Sequence, residues 1–539
     1  MGSISATPAM NSYDFIIVGA GSAGCVLANR LSAKSDIKVL LLEAGSPDDS
    51  SFIHVPAMMA MLPDSKYDWR FRTAPQVHCN LRRFPWPRGR TLGGSSSINY
   101  MIYTRGHPSD YDHWKQLGNT GWGYDDVLPY FKKAENNERH AEPFHGRGGP
   151  LNVTDHIFRH PLSELFVETA VATGVTRNGD FNGAEQEGCG FYQLTQKNGA
   201  RWSTAAAYLR PVQDRPNLTV TTGATTTKVN VRNSRAVSVN YLHHGRLEQA
   251  VANREVILCG GTVNSPHLLL LSGIGPVDEL RLCGIDIVHE LPGVGKNLQD
   301  HLGGYMRWAI NQPISAYGAT PEQLAALQKD YLEQRKGFLT SNIAEAGAFL
   351  CTDATKKVPN IQCFFLPYLL PEAPVESSQP TGHGISIAFY INRPASLGQI
   401  ALASADPLDQ PLIDPNYLSN PTDAVEFAAG FKCLRKIFAS PPISQLVSKE
   451  ISPGLECQSD EQLATYLRNR GSATIFHPVG TCKMGCDNMA VVNSELRVHG
   501  LDGLRVVDAS IMPTLIGGNT NAPTIMIAEK ASDLILQTI

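Results

Sequence analysis

The chain has 539 residues, of which 42% are hydrophobic and 18% charged, a composition typical of a globular enzyme. A chain of this length usually forms more than one core, so we expect two domains. The formal net charge is −4, which excludes the strong basic bias that nucleic-acid-binding proteins usually show.

Cysteines and apolar stretches indicate the compartment. The eleven cysteines are scattered, with no C-x-x-C pair and no His/Cys cluster at zinc-site spacing, so we expect buried thiols and no metal. The first twelve residues lack the basic and apolar regions of a secretory leader. The longest uncharged stretch, 509–528, contains Gly, Asn and Pro and does not resemble a membrane span. We therefore expect a cytoplasmic protein.

A nucleotide-binding pattern opens the chain. Apolar strands are predicted over 14–18 and 38–42, with a helix over 25–31 between them. The fingerprint Gly19-Ala-Gly-Ser-Ala-Gly24 joins the first strand to the helix, and Glu43 follows nineteen residues after its last glycine. In such a motif the glycines allow a tight turn and a close approach to a pyrophosphate, and the acid binds a ribose diol.

This fingerprint predicts a dinucleotide cofactor without separating NAD from FAD. Glu43 would repel the 2′-phosphate of NADP, so NADP is disfavoured. The contacts expected from this segment are made by Gly19, Gly21, Ser22, Gly24 and Glu43.

Two further segments favour close backbone approach to a ligand. Gly89–Met101 is rich in Gly and Ser, as expected where the main chain lies against a flat or phosphorylated group. A strand over 254–259 leads into a helix that ends at Gly273, and a strand over 504–507 leads into Asp508. These strands extend the parallel pattern of the N-terminus.

A different pattern occupies the region from 304 to 411. The alternation of strands and helices stops there, and strand-like runs such as 361–366 and 384–391 lie between Pro-rich turns. This change favours a second domain with an antiparallel sheet.

In order and spacing, these motifs resemble those of the glucose-methanol-choline (GMC) family of FAD-dependent oxidoreductases. The segments Gly89–Tyr103 and Gly261–Gly275 look like the two family signatures. The resemblance extends to Gly293–His301 and to the segments around His477 and Asn519, and it spans essentially the whole chain. Choline-dehydrogenase-like bacterial alcohol oxidoreductases are the most similar group.

The resemblance implies an α/β, two-domain fold with discontinuous domains. A Rossmann-like FAD-binding domain would comprise residues 1–152, 211–302 and 471–539. A substrate-binding domain built on an antiparallel sheet would comprise residues 153–210 and 303–470.

The resemblance also implies contacts to FAD beyond the N-terminal fingerprint. They come from the Gly/Ser loop, from a residue against the adenine and from the C-terminal segments: Arg90, Gly94, Ser95, Asn99, Met101, Val229, Asp508, Ala509 and Asn519. Some family members attach FAD covalently through a histidine of the Gly/Ser loop. That position is Ile98 here, which has no nucleophilic atom, so we expect FAD to be bound non-covalently.

Alcohol oxidation needs a group that accepts the hydroxyl proton while a hydride leaves the carbon, and a neutral histidine suits this task. By resemblance His477 is that base, the hydride goes to flavin N5, and Asn519 orients the alcohol oxygen. Tyr100 and Phe476 flank these motifs and are expected to line the alcohol pocket. The remaining histidines, including His301, are expected to be structural or exposed.

Three hypotheses remain open from the sequence. The leading one is oxidation of a small primary or secondary alcohol to an aldehyde or ketone, with electrons passing to oxygen or to a quinone-type acceptor. The second is a flavin-containing lyase similar to hydroxynitrile lyases, without net redox. The third is a non-catalytic flavin-binding protein. The sequence identifies neither the alcohol nor the acceptor.

Overall fold

The computed structural model describes residues 12–371 and 382–539. Residues 1–11, on which the expectation about a secretory leader largely rests, lie outside the described residues. No helix in the described ranges is both long enough and apolar enough to cross a membrane.

Two seven-stranded sheets organise the fold. In chain order their strands are β1 (Ser12–Val18), β2 (Val39–Leu42), β3 (Gly188–Phe191), β4 (Leu218–Thr221), β5 (Ala224–Arg232), β6 (Arg235–His243), β7 (Arg246–Leu258), β8 (Leu302–Ile310), β9 (Ala346–Leu350), β10 (Ile361–Leu366), β11 (Gly384–Ile391), β12 (Val447–Ser452), β13 (Ser472–Thr474) and β14 (Leu504–Val506).

Helices cover these sheets, and short strand pairs lie between them. The α-helices are α1 (Ser22–Leu31), α2 (Ser51–His54), α3 (Pro108–Gln116), α4 (Tyr124–Ala134), α5 (Pro161–Ala172), α6 (Gly261–Leu271), α7 (Val277–Leu282), α8 (Pro321–Gln334), α9 (Pro421–Phe438), α10 (Asp460–Tyr466) and α11 (Asn521–Leu536). The short pairs are Phe71–Arg72 with Pro85–Trp86, Ile102–Tyr103 with Gln193–Leu194, Glu135–Asn137 with Leu151–Val153, Gln196–Lys197 with Ala200–Arg201, Ile274–Gly275 with His289–Glu290, and Gln399–Ala401 with Leu412–Asp414.

The first sheet has a parallel centre, as the N-terminal pattern predicts. Its order is β4-β2-β1-β7-β6-β5, with β14 beside β7, and the pairs from β4 to β7 and from β7 to β14 are parallel. Val18 is in register with both Leu42 and Leu258. The residues that follow these strands therefore meet at one edge of the sheet, where parallel α/β folds bind ligands.

The second sheet is antiparallel, as predicted. Its order is β12-β8-β11-β10-β9-β3, and β13 pairs with β8. The predicted strands 361–366 and 384–391 are confirmed as β10 and β11 with the same bounds. β13 belongs to this sheet, although the boundary predicted at residue 471 assigns β13 to the FAD-binding domain.

Candidate active site

A cavity of about 540 Å³ extends from the parallel edge of the first sheet to one face of the second. Of the predicted site residues, all but two line it, and the two exceptions are Gly24 and Val229. The cofactor end of the cavity is the part beside β1, β2 and β7, and the proton-transfer end is the part around His477 and Asn519.

The N-terminus of α1 opens on the cofactor end. Gly21 precedes the helix, no side chain caps it, and Gly21 and Ser22 line the cavity, so the first N–H groups of the helix are available to a ligand there. Gly24 lies behind this turn, where a Cβ atom would stand 1.9 Å from the carbonyl oxygen of Gly19. Gly94 approaches from the opposite side, where a Cβ would lie 2.7 Å from Gly21 Cα. The glycines thus let two main-chain segments close on a narrow channel suited to phosphates.

Glu43 is fixed by the main chain at this end. Its Oε2 accepts a hydrogen bond from the N–H of Ala20 at 2.9 Å, and its Oε1 accepts one from the N–H of Gly45 at 2.8 Å. Burial raises the pKa of Glu43 to about 7, while the two backbone donors oppose this rise. Each oxygen keeps acceptor capacity for a diol of a bound nucleotide.

Val229 does not line the cavity, and Thr226 stands there instead. The N–H of Val229 donates to Ser272 Oγ at 2.8 Å, and its side chain is buried beside α6. Thr226, three residues earlier on β5, lines the cavity, and its buried hydroxyl has no partner within the described chain. A bulge follows Thr226, so residue spacing alone does not locate the cavity face of this strand.

The Gly/Ser loop forms one wall of the cavity. Arg90 lies over the Trp69 ring at 4.7 Å, and Asn99 Oδ1 accepts hydrogen bonds from Met101 N–H at 3.0 Å and Arg201 Nη1 at 2.8 Å. Gly94, Ser95 and Ile98 also line the cavity. Ile98 presents only aliphatic carbon, so this loop offers no histidine for a covalent bond to a flavin.

Asp508 joins the cofactor wall to the start of α6. Its Oδ2 accepts hydrogen bonds from Gly261 N–H at 2.9 Å and Ser265 Oγ at 2.6 Å, and its Oδ1 accepts one from Ser510 N–H at 2.8 Å. Burial raises the pKa of Asp508, and these donors oppose the rise. Its carboxylate is therefore largely engaged with protein, while Ala509 continues the cavity wall.

At the proton-transfer end, His477 and Asn519 are in direct contact. Asn519 Nδ2 lies 3.0 Å from His477 Nε2, although the residues are 42 positions apart. His477 follows β13 of the second sheet, and Asn519 lies just before the C-terminal helix α11. The fold therefore brings together two segments that are separate in sequence. Both side chains face the cavity.

A second histidine determines which nitrogen of His477 carries the proton. His301 Nε2 lies 3.0 Å from the carbonyl oxygen of Asn392, which only accepts, so this nitrogen must carry a hydrogen. His301 Nδ1 is then the acceptor of the 2.9 Å bond from His477 Nδ1–H. The hydrogen-bond network therefore assigns a lone pair to His477 Nε2, the atom beside Asn519.

The backbone around His477 is held by two charged side chains from other segments. Asp300 Oδ1 accepts a hydrogen bond from His477 N–H at 2.8 Å, and Arg88 Nη2 donates to the carbonyl oxygen of Phe476 at 2.7 Å. Phe476 has a φ of 67°, a region that a bulky side chain rarely adopts. Asp300 and Arg88 thus stabilise a strained peptide that aims the imidazole at the cavity.

Asn519 is oriented by two polar neighbours. Its Oδ1 accepts hydrogen bonds from Thr104 Oγ1 at 3.1 Å and from Gln362 Nε2 at 3.2 Å. Gln362 is fully buried, and its Oε1 accepts a hydrogen bond from the Tyr390 hydroxyl. These partners identify the Asn519 oxygen, so the Nδ2 group is the one that faces His477.

Burial keeps both histidines neutral. It lowers the pKa of His477 well below its usual value, and the neighbouring His301 and Arg88 lower it further. Burial also lowers the pKa of His301 to about 3. His477 is consequently an unprotonated base at neutral pH.

Several residues of the proton-transfer end were not predicted from the sequence. They include Asp300, Arg88 and Gln362, and also His301, which was expected to be structural or exposed but bonds directly to the predicted base. One sequence signal exists for Gln362, because it is a single amide within the apolar run of β10. A buried polar residue usually has a partner, and here the partner is Asn519.

The residues of the cofactor end fit a flavin dinucleotide. An uncapped helix N-terminus faces a glycine loop, a buried carboxylate stands at the end of β2, and the orphaned hydroxyl of Thr226 lies in the same cavity. Phosphates, a ribose diol and an adenine edge match these three features in turn. Within the described residues no group of His, Cys, Asp or Glu is arranged to hold a metal ion.

Comparison with known proteins decides the family. A GMC oxidoreductase N-terminal model matches residues 13–303, and the C-terminal model matches residues 394–528. This chain belongs to the GMC oxidoreductase family. It is 49% identical over 534 residues to an alcohol dehydrogenase (acceptor) of Pseudomonas putida, covering 98% of this chain and 96% of the relative.

Two further relatives extend the comparison. An oxygen-dependent choline dehydrogenase of Paraburkholderia phytofirmans is 45% identical over 534 residues, covering 98% of this chain and 95% of the relative. The crystal structure of a pyridoxine 4-oxidase from Mesorbium loti superposes with a TM-score of 0.89 at 32% identity, covering 97% and 99% of the two chains.

Membership of this family confirms the predicted two-domain α/β fold and the predicted FAD cofactor, for which non-covalent binding is the usual mode. The relatives named here are dehydrogenases and an oxidase, so they support alcohol oxidation and give the lyase hypothesis no support.

Proposed function

We propose that this GMC oxidoreductase oxidises a small alcohol to an aldehyde or ketone, with His477 as the base and Asn519 as the group that orients the alcohol. This proposal rests on the contact between Asn519 Nδ2 and His477 Nε2, which lie 3.0 Å apart on the wall of the cavity. A donor and a lone pair lie side by side there, and an alcohol hydroxyl needs both.

The proton moves from the alcohol to His477. On binding, the hydroxyl replaces the direct hydrogen bond from Asn519 Nδ2 to His477 Nε2: its oxygen accepts from the amide, and its hydrogen points to the lone pair of the imidazole. As the proton transfers, the imidazole becomes positive, and its Nδ1–H continues to donate to His301. This partner fixes the ring orientation and leaves Nε2 as the reacting atom.

The cofactor end would hold the FAD. Gly21, Ser22 and Gly94 would receive its pyrophosphate, Glu43 its ribose, and Thr226 its adenine edge. When bound, FAD supplies the acceptor for the hydride that leaves the alcohol carbon. The enclosed position of His477 excludes bulk water from the proton-transfer end, which keeps the base neutral until substrate arrives.

Anaerobic mixing of the yellow holoenzyme with an alcohol tests this function. Oxidation of the alcohol bleaches the flavin absorbance and yields an equivalent amount of carbonyl product. A flavin absorbance that no alcohol bleaches, in a protein with full FAD content, would contradict the proposal.

The electrons then pass to a second substrate, which we propose is oxygen or a quinone-type acceptor. The relatives include both an acceptor-linked and an oxygen-dependent enzyme. Turnover in air with formation of hydrogen peroxide supports oxygen, whereas turnover only with an added quinone or dye supports the other class.

We also propose the domain division and the location expected from the sequence. Residues 1–152, 211–302 and 471–539 would form the FAD-binding domain, and residues 153–210 and 303–470 the substrate-binding domain, with β13 reaching across. All eleven cysteines lie in the described ranges and are free thiols, which supports a reducing compartment such as the cytoplasm.

A further inference from the structure

Three tyrosines form the far wall of the cavity beyond the proton-transfer end. We call this region the tyrosine end, and its residues are Tyr100, Tyr305 and Tyr368. Tyr305 lies on β8, Tyr368 follows β10, and Tyr100 comes from the Gly/Ser loop. Each belongs to a different segment, so the cluster is a product of the fold rather than of local sequence.

The register of the second sheet places this cluster relative to the base. Gly303, Tyr390 and Gln362 form one cross-strand row, and Gln362 contacts Asn519. The next row on the same face contains Tyr305, Ala388 and Phe364. Two residues along a strand span about 7 Å. The tyrosine end therefore begins roughly one aromatic ring away from the group that orients the alcohol.

The hydroxyls at the tyrosine end have no protein partner in the described part of the chain. Neighbouring buried tyrosines behave differently: the hydroxyls of Tyr192 and Tyr390 donate to a carbonyl and an amide oxygen. Burial is the main cause that raises the pKa of the phenols of Tyr305 and Tyr368, whereas Tyr100 is 36% exposed. They remain neutral hydrogen-bond donors over the whole working range of pH.

Within the described residues, no charged side chain is hydrogen-bonded to the phenols of this end. The carboxylates on the cavity wall are Glu43, Asp409 and Asp508. Glu43 and Asp508 belong to the cofactor end, and Asp409 lies on an exposed loop, where it accepts a hydrogen bond from Ser404 at 2.6 Å. Besides burial, only neighbouring phenols contribute to the raised pKa of Tyr305 and Tyr368, and no carboxylate does.

From this arrangement we propose that the tyrosine end binds a neutral hydrogen-bonding group at the far end of the substrate. The substrate class is then an uncharged aromatic alcohol with a polar para substituent. This inference rests on the proposed function.

Desolvation distinguishes a polar para group from an apolar one. A polar para group that enters the cavity loses its water, and the phenols replace the lost hydrogen bonds. An ethyl group gains no such partners.

The test uses a pair of alcohols with the same shape: 4-(hydroxymethyl)benzyl alcohol and 4-ethylbenzyl alcohol. Anaerobic stopped-flow reduction of the holoenzyme gives a dissociation constant for each from the saturation of the rate. The ratio of the two constants is compared in the wild type, in Tyr305→Phe and Tyr368→Phe, and in Tyr317→Phe. Tyr317 is an exposed tyrosine that does not line the cavity and serves as the matched control.

We expect the wild type and Tyr317→Phe to prefer the hydroxymethyl compound, and at least one cavity variant to lose roughly 3–10-fold of that preference. Comparing variants removes the statistical advantage of a substrate with two equivalent hydroxyls. An unchanged ratio in both cavity variants overturns the inference while leaving alcohol oxidation intact. Failure of every alcohol to bleach the flavin overturns the proposed function itself.

Discussion

At the cofactor end of the cavity, main-chain groups form most of the wall, whereas at the proton-transfer end side chains from distant segments meet around His477. Gly21 and Gly94 approach each other because neither has a side chain, and Glu43 is held by two backbone N–H groups. His477 is held instead by His301, Asp300 and Asn519. The first end is a local consequence of a strand–turn–helix motif, and the second depends on the tertiary fold.

This difference predicts how each end responds to substitution. Changes at the cofactor end should remove the cofactor and with it all activity. Changes at the proton-transfer end should leave FAD bound and slow its reduction, because the two groups of residues do not share hydrogen bonds.

The largest effect is expected at Glu43. Glu43→Leu removes both acceptors from the backbone N–H groups of Ala20 and Gly45 and leaves a bound ribose without a partner, so the protein should purify largely without flavin. Glu43→Gln keeps one oxygen and should lose less. The ratio of flavin absorbance to protein absorbance measures occupancy. Equal occupancy in the two variants would remove Glu43 from the cofactor site.

A smaller effect is expected at Asp300. Asp300→Asn weakens the hold on His477 N–H and leaves Arg88 with less compensation, so flavin reduction should slow by roughly 10²-fold through misplacement of the base. Flavin content should stay close to that of the wild type.

Tyr417→Phe is the matched control for Asp300. The Tyr417 hydroxyl donates to Oδ2 of the same carboxylate, whereas His477 N–H bonds to Oδ1. We expect Tyr417→Phe to reduce its flavin at a rate much closer to the wild type. Equal slowing in both variants would indicate general loosening of the core rather than placement of His477, and thermal denaturation of each variant separates these cases.

Asn519→Ala should have a more modest effect. Removal of one hydrogen bond to the alcohol oxygen costs about 1–2 kcal/mol, which corresponds to roughly a tenfold slower reduction. Because the amide positions the alcohol without taking its proton, the shape of the pH profile should not change. A variant that loses the acid limb of the profile would show that Asn519 contributes to proton transfer.

The sequence predicted the cofactor end better than the proton-transfer end. Gly19, Glu43 and the strands around them follow a local motif, and they lie where that motif predicts. Thr226 escaped prediction because a bulge in β5 changes which side chains face the cavity. His301 escaped because its role exists only through a contact with a residue 176 positions away.

The roles of Phe476 and Gln362 also depend on contacts with distant segments. Nothing in the sequence around Phe476 indicates a positive φ, since the strain is sustained by Arg88 and Asp300 from other segments. Gln362 carried a usable signal, a polar residue in a buried strand, but its partner could not be named without the sheet register.

The pH dependence of the wild type should be nearly flat above neutrality. The pKa of His477 lies well below 6.5 in the folded enzyme, so the base is already neutral, and the rate should fall only on the acid side. An unperturbed histidine titrates near pH 6.5, and the buried position of His477 moves the expected midpoint towards acid. Folding stability should also decline as the pH falls below about 6.5, because the unfolded chain takes up protons that the buried His301 and His477 do not. A rate that rises through a midpoint above 6.5 would contradict this assignment.

The rate of flavin reduction by alcohol in His477→Ala, measured under anaerobic conditions, tests most directly whether His477 is the base. The variant should fold and retain FAD, because the cofactor end does not use His477, yet its reduction should be slower by roughly 10²–10⁴-fold, the usual contribution of a positioned base. His243→Ala, at a histidine bonded to Glu248 away from the cavity, should reduce its flavin like the wild type. If His477→Ala retains FAD and is reduced at a rate near that of the wild type, the base is another group and the central claim is wrong.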